Sequence, residues 1–233
     1  AGRQALSTRD FDSASTYLSR ALKNDLDNPE LLNGLISVQV SLGNIAEASK
    51  SAEKLDLIGV QTQLSNMVKV TTHLRNREFG RAKNQIDNDQ GINPLLDKII
   101  TGWALAEDGN IEDAKMIFDK IGNGTSLSQF SQTQKASMLA AFGQYESALN
   151  TIEILEEGFN TLSMDARVMK VQLLLKLDRQ EKAAEYFSKN FVDAISSDAN
   201  NLKLQIENYP NALSLGTNLS LESGIAYAFY AIG

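Results

Sequence analysis

The residues of this chain that could carry chemistry are few, and their types and spacing exclude most reactions. Histidine occurs once, as His73, so no pair of imidazoles can share a metal ion. Cysteine is absent, which removes disulfides, thiolate nucleophiles and cysteine-based metal sites together. Neighbouring carboxylates occur as Asp25/Asp27, Asp87/Asp89 and Glu156/Glu157. Paired carboxyls do acid–base work only in a pocket that drives their pKa values apart. All three pairs fall where helical patterns end, so they are expected as solvated loop charges. Gly122-Asn-Gly124-Thr-Ser126 lacks the lysine of a phosphate loop and reads as a turn. No Gly-x-Ser-x-Gly elbow is present, while Asn123-Gly-Thr125 and Asn218-Leu-Ser220 fit the glycosylation sequon. No catalytic, metal-binding or cofactor-binding set is expected, and the chain is not expected to be an enzyme.

Acidic residues outnumber basic ones by 29 to 22, leaving a net charge of −7, which argues against a phosphate-backbone partner. The densest basic stretch, Arg75, Arg77, Arg81 and Lys83, is interrupted by Glu78 and followed by Asp87 and Asp89. It reads as a solvated helix face rather than a nucleic-acid patch. The most apolar segment, Ile225 to Ile232, is too short to span a bilayer. Ala1-Gly2-Arg3-Gln4 has no hydrophobic signal region behind it, so the expected compartment is either the cytoplasm or one reached after removal of a signal.

The elements that position these residues come from a recurring phrase. It reads Asp10-Phe-Asp-Ser-Ala14, Asn44-Ile-Ala-Glu-Ala48, Glu78-Phe-Gly-Arg-Ala82, Asn110-Ile-Glu-Asp-Ala114, Gln144-Tyr-Glu-Ser-Ala148 and Arg179-Gln-Glu-Lys-Ala183. The alanines are separated by 48−14 = 34, 82−48 = 34, 114−82 = 32, 148−114 = 34 and 183−148 = 35 residues. Gly43, Gly109 and Gly143 stand just before the phrase, where a helix can end in a left-handed conformation. Four residues after the alanines come Leu18, Ala52, Ile86, Phe118, Ile152 and Phe187, the next turn of one amphipathic stripe. Each unit is therefore a helix, a turn and a second helix. Asn28-Pro29-Glu30 and Asn93-Pro94 mark starts of first helices, with a cap residue followed by proline.

This period, and the pattern glycine, polar, aromatic or apolar, two residues, alanine, resembles the tetratricopeptide repeat family over residues 1–190. The small alanines and short aromatic turns also resemble exported bacterial members. The resemblance implies an all-α solenoid of about six helix hairpins wound as a right-handed superhelix, plus a C-terminal helix. It departs from the family in lacking most of the early aromatics and unit-ending prolines. Expected units lie near 1–27, 28–61, 62–93, 94–125, 126–160 and 161–190. An irregular connection with a short helix around Leu202–Glu207 is expected over 191–218, and the first helix of a further, truncated repeat over 219–233. The chain thus reads as starting inside one hairpin and stopping at the turn of another.

In this family the first helices line the concave surface, so the resemblance implies a groove for a protein or peptide partner. By spacing, the groove face carries Asn33 and Ser37, then Met67, Thr71 and Leu74, then Ile99 and Trp103. Ser137, Gln172, Tyr227 and Tyr230 continue it. Leu96, Ile99 and Trp103 either form this groove or pack on the neighbouring first helix; as the sole tryptophan, Trp103 is the natural anchor. A clamp for a partner's terminal carboxylate would need lysine beside Asn33, which this face lacks. The expected function is a protein–protein interaction scaffold. The alternatives are the repeat arm of a larger enzyme, or the glycan- or lipid-binding part of an exported assembly machine.

Overall fold

The computed structural model describes residues 2–122, 127–159, 161–191 and 197–210. Among these the secondary structure is entirely helical: α1 (Gly2–Ser7), α2 (Phe11–Leu22), α3 (Pro29–Ser41), α4 (Ile45–Leu57), α5 (Gln63–Arg75), α6 (Phe79–Asp87), α7 (Pro94–Glu107), α8 (Ile111–Lys120), α9 (Leu127–Ala141), α10 (Tyr145–Gly158), α11 (Met164–Lys176), α12 (Gln180–Asn190) and α13 (Ser197–Glu207). Consecutive helices pair as hairpins, so α7 with α8 and α9 with α10 repeat the arrangement of α3 with α4. No helix among the described residues is long and apolar enough to cross a membrane. The chain divides into two compact bodies, Ala1–Ile100 and Thr101–Gly233.

Every hairpin turns in the same way. The second residue past each first helix lies in the left-handed region: Arg9 (φ 58°), Gly43 (75°), Arg77 (60°), Gly109 (83°), Gly143 (76°) and Asp178 (57°). The N–H of the following residue then reaches back five positions. Asp10 donates to the Ala5 carbonyl at 2.9 Å, Asn44 to Gln39 at 2.8 Å, Glu78 to His73 at 2.8 Å, Asn110 to Leu105 at 2.8 Å, Gln144 to Leu139 at 2.9 Å and Arg179 to Leu174 at 2.8 Å. This is the Schellman closure, which satisfies carbonyls that a helix end leaves open. Glycine adopts the conformation without penalty, whereas Arg9, Arg77 and Asp178 each pay about 1 kcal/mol. The turn is therefore constant even where the glycine is missing.

The two helix classes start differently, and the turn explains why. First helices follow a loop and need a side-chain cap: Asn28 accepts from the Leu31 N–H at 3.1 Å, and Thr62 closes a reciprocal capping box with Ser65. Asn93 accepts from the Leu96 N–H at 3.0 Å, and Ser163 from the Ala166 N–H at 3.3 Å. Second helices emerge straight from the Schellman turn. Asn44, Glu78, Asn110, Gln144 and Arg179 make no side-chain cap there, and only Asp10 does, to Ser13. The recurring polar residue is thus held by its backbone.

Five residues past each left-handed position stands the recurring alanine. Ala14, Ala48, Ala82, Ala114, Ala148 and Ala183 all have 0% exposure. In the N-terminal body Ala48 joins Leu32, Ile36, Ala52, Leu55 and Val68 in one apolar cluster, and Ala14 joins Ala5, Leu18 and Val38 in another. In the C-terminal body the first helix thins to meet its partner: a Cβ on Gly102 would come 2.8 Å from the Phe118 ring. At such contacts side-chain volume sets the helix separation. Replacing Ala114 or Ala148 with Leu should overpack the hairpin and cost about 1–3 kcal/mol in denaturant unfolding. Unchanged midpoints in both variants would mean that the alanines do not set the packing distance.

Candidate interaction surface

The outward stripe of the first helices differs between the two bodies. In the N-terminal body Ser37 is exposed, while Asn33, Met67 and Thr71 are half-buried and reachable; Leu74, at the end of α5, is buried. Asn33 Oδ1 accepts from the Thr62 hydroxyl at 2.9 Å, so the start of α5 is tied to the middle of α3. Val40 and Leu64 lie partly buried against the Leu32 cluster and give the stripe an apolar base.

Among the described residues the C-terminal body presents no such opening at the matching positions. Trp103 is fully buried, and its indole Nε1 donates to Gln134 Oε1 on α9 at 3.2 Å. The packing alternative is the observed one: the indole stacks into the neighbouring first helix, and its N–H finds the partner that a buried tryptophan needs. Ser137 and Gln172 are buried as well, with the Ser137 hydroxyl 3.9 Å from Met169 Sδ. In the N-terminal body Ile99 is likewise inside. Leu74, Ile99, Trp103, Ser137 and Gln172 are therefore interior residues, a correction to their expected place on an open groove. The spacing put them on the right stripe, but it could not tell that this stripe is covered. Tyr227 and Tyr230, with the expected helix over 219–233, lie outside the described residues. The short helix expected around Leu202–Glu207 is α13.

Several titratable groups are engaged in structure. His73 Nδ1 lies 2.8 Å from Glu78 Oε2, bracing the α5–α6 turn, and Arg81 reaches the other Glu78 oxygen at 3.1 Å. The hydrogen bond with His73 is the main cause that holds the Glu78 carboxyl below its ordinary range. Asp25 accepts from the Asn28 amide at 2.8 Å, and Asp87 from Lys83 at 2.6 Å. Glu156 departs from the expected loop charge: it lies within α10, where it accepts from Lys170 at 2.5 Å and from the Tyr186 hydroxyl at 3.0 Å. Burial, followed by the Glu156 charge, pushes the Tyr186 phenol well above its usual value. Among the described residues no group of three His, Cys, Asp or Glu side chains is placed to hold a metal ion.

A second recurring feature escaped the sequence reading. Lys69, Lys135 and Lys170 each stand eight residues before a left-handed turn residue, and each reaches back to a carboxylate near the end of the preceding second helix. Lys69 contacts Asp56 at 2.7 Å, Lys135 contacts Asp119 at 2.7 Å and Lys170 contacts Glu156 at 2.5 Å. The lysine side chains are only 9%, 15% and 11% exposed, so their charges depend on these partners. Lysine spacings of 135−69 = 66 and 170−135 = 35, two periods and one, were the available signal.

A tetratricopeptide repeat family model matches residues 1–55. No curated protein matches the chain by sequence. Among solved structures, a tetratricopeptide repeat protein from Parabacteroides merdae is 18% identical, with a TM-score of 0.65 over 96% of each chain. PilW, a widely conserved type IV pilus biogenesis factor, is 15% identical with a TM-score of 0.60, covering 87% of this chain and 94% of its own. YrrB, a repeat protein with an unusual peptide-binding site, is 15% identical with a TM-score of 0.50, covering 82% of this chain and 100% of its own. The family model matches the first hairpins alone, and beyond them the solved structures share the fold, a succession of helix hairpins.

Two expectations follow from this placement. Trp103→Ala should lower stability by about 3–5 kcal/mol in chemical denaturation, the cost of emptying a buried tryptophan site. A variant with the wild-type midpoint would contradict the buried placement. The second concerns Asp119. Burial raises its pKa, but hydrogen bonds from Lys135 and Gln132 outweigh this and hold the carboxyl below 3.8. A depressed carboxyl stabilises the fold above its unfolded pKa, and that contribution disappears as pH falls through the folded value. Asp119→Asn should therefore be less stable than wild type near neutral pH, and the gap should close in acid below 3.8. Urea midpoints across that range would contradict the assignment if the gap stayed constant.

Proposed function

We propose that the protein is an interaction scaffold that holds a partner's peptide or helix against the first helices of its N-terminal body, with no catalytic step of its own. The observation that carries this reading is the contrast in access: Ser37, Asn33, Met67 and Thr71 are reachable, while the matching Ser137 and Gln172 are buried. YrrB, which shares the fold, has a peptide-binding site. The accessible stripe suits such a role chemically. Met67 supplies a polarisable side chain that adapts to a partner's shape, and Asn33, Ser37 and Thr71 offer hydrogen bonds to a backbone. None of these four carries a charge, so recognition there would rest on shape and hydrogen bonding.

Ser37→Arg tests this directly, because the site is exposed and a long side chain can block the stripe without disturbing the core. Affinity purification from the source organism should recover the partner with wild type and at least tenfold less with the variant, a loss typical of an interface centre. The melting curve should be unchanged. An identical set of recovered proteins would remove the first-helix stripe as the binding surface.

A further inference from the structure

The first-helix face of the C-terminal body is buried, polar and short of partners. Thr133, Gln134 and Ser137 on α9 and Gln172 on α11 are each at most 4% exposed. Ser137 and Gln172 hold the repeat position of Ser37 and Thr71, which are reachable in the N-terminal body. The described neighbours of α9 are α8 and α10 behind the stripe, with α11 and, through the Trp103 indole, α7 beside it. Flanking helices of this kind leave Ser37 open, so flanking alone does not account for the burial of Ser137. Among the described residues Gln134 Nε2 and Gln172 Oε1 have no hydrogen-bond partner, and the Ser137 hydroxyl meets only the Met169 sulfur at 3.9 Å. Buried polar groups left this way are costly. The face calls for a cover that is uncharged and brings its own donors and acceptors.

The chain itself holds a segment of that chemistry. Residues 211–233, outside the described residues, number 233−210 = 23 and carry a single charge, Glu222, where 22% of the whole chain is charged. The face matches this: Thr133, Ser137 and Ala140 on α9, and Val168, Gln172 and Leu175 on α11, bring no charge to meet one. The apolar run Ile225 to Ile232 contains Tyr227 and Tyr230, whose hydroxyls both donate and accept. A phenol can therefore donate to Gln172 Oε1 or accept from Gln134 Nε2, while its ring excludes water from Val168 and Leu175. Reach is not a constraint. The segment follows α13, which packs on α11, and neighbouring helix axes stand only about 10 Å apart.

We infer that residues 211–233 dock in cis on the first-helix face of the C-terminal body, with Tyr227 and Tyr230 as contacts of the docked segment rather than as part of an open groove. This body's own chain then takes the place a partner would use. The inference does not depend on the N-terminal stripe binding anything. The absence of cysteine makes the test clean, because Ser137→Cys or Ser37→Cys gives the full chain a single thiol. With a maleimide probe, Ser137→Cys should react more slowly than Ser37→Cys by about tenfold or more, at every protein concentration. Adding Tyr227→Asp and Tyr230→Asp, which puts charge into the segment, should speed the Ser137→Cys reaction about tenfold and leave Ser37→Cys unchanged. Ser137→Cys combined with Tyr227→Cys or with Tyr230→Cys should form an intrachain disulfide under mild oxidation in at least one pairing. Three outcomes would overturn the inference: a Ser137→Cys rate indifferent to the two aspartates, failure of both pairings to cross-link, or protection that rises with protein concentration. The last would make a second copy the cover.

Discussion

A backbone N–H reaching back five residues, across a single left-handed residue, organises this molecule. It occurs at all six hairpins among the described residues, with donor–acceptor distances of 2.8–2.9 Å. Because it reverses the chain within a few residues, the second helix of each unit must lie against the first. Position five beyond the turn then always meets the partner helix, and alanine occupies it six times. The turn also explains why second helices need no side-chain cap while first helices, entered from loops, use Asn28, Thr62, Asn93 and Ser163. One local constraint thus propagates into capping, packing distance and repeat length.

Within this framework the junctions between hairpins carry the charges that matter for cohesion. Lys69, Lys135 and Lys170 are drawn from solvent and held by Asp56, Asp119 and Glu156. An ion pair of this kind contributes little net stability, but removing one partner leaves a costly unpaired charge, so it fixes which arrangement is tolerated. The first-helix stripe shows the complementary principle. Where it is lined by Ser37 and Met67 it stays accessible, and where Trp103 and Gln134 meet it becomes interior. The repeat supplies one backbone, and side-chain choice at equivalent positions decides whether a surface is offered or consumed.

Much of the fold was legible because its signals are local. The alanine period, the Asn28-Pro29 and Asn93-Pro94 starts and the three turn glycines each depend on a few neighbouring residues. The turns at Arg9, Arg77 and Asp178 carry no glycine, yet the period alone located them. The candidate site was less legible, because access depends on what lies across a helix rather than along it. Spacing places Ser37 and Ser137 at equivalent positions, but one is exposed and the other buried. Glu156 beside Glu157 looked like a loop pair, and only the fold reveals that Lys170 and Tyr186 converge on it.

Residue-resolved amide hydrogen exchange probes the organising turn without altering it. The N–H groups of Asn44, Glu78, Asn110, Gln144 and Arg179 lie outside the helices that precede them, and in open loops they would exchange freely. Bound across the turn, they should exchange as slowly as amides in the middle of the adjoining first helices, at the arginine and aspartate turns as well as the glycine ones. Exchange at unprotected rates at these five positions, beside protected helix interiors, would contradict the account: the hairpins would then be helices joined by loose connections.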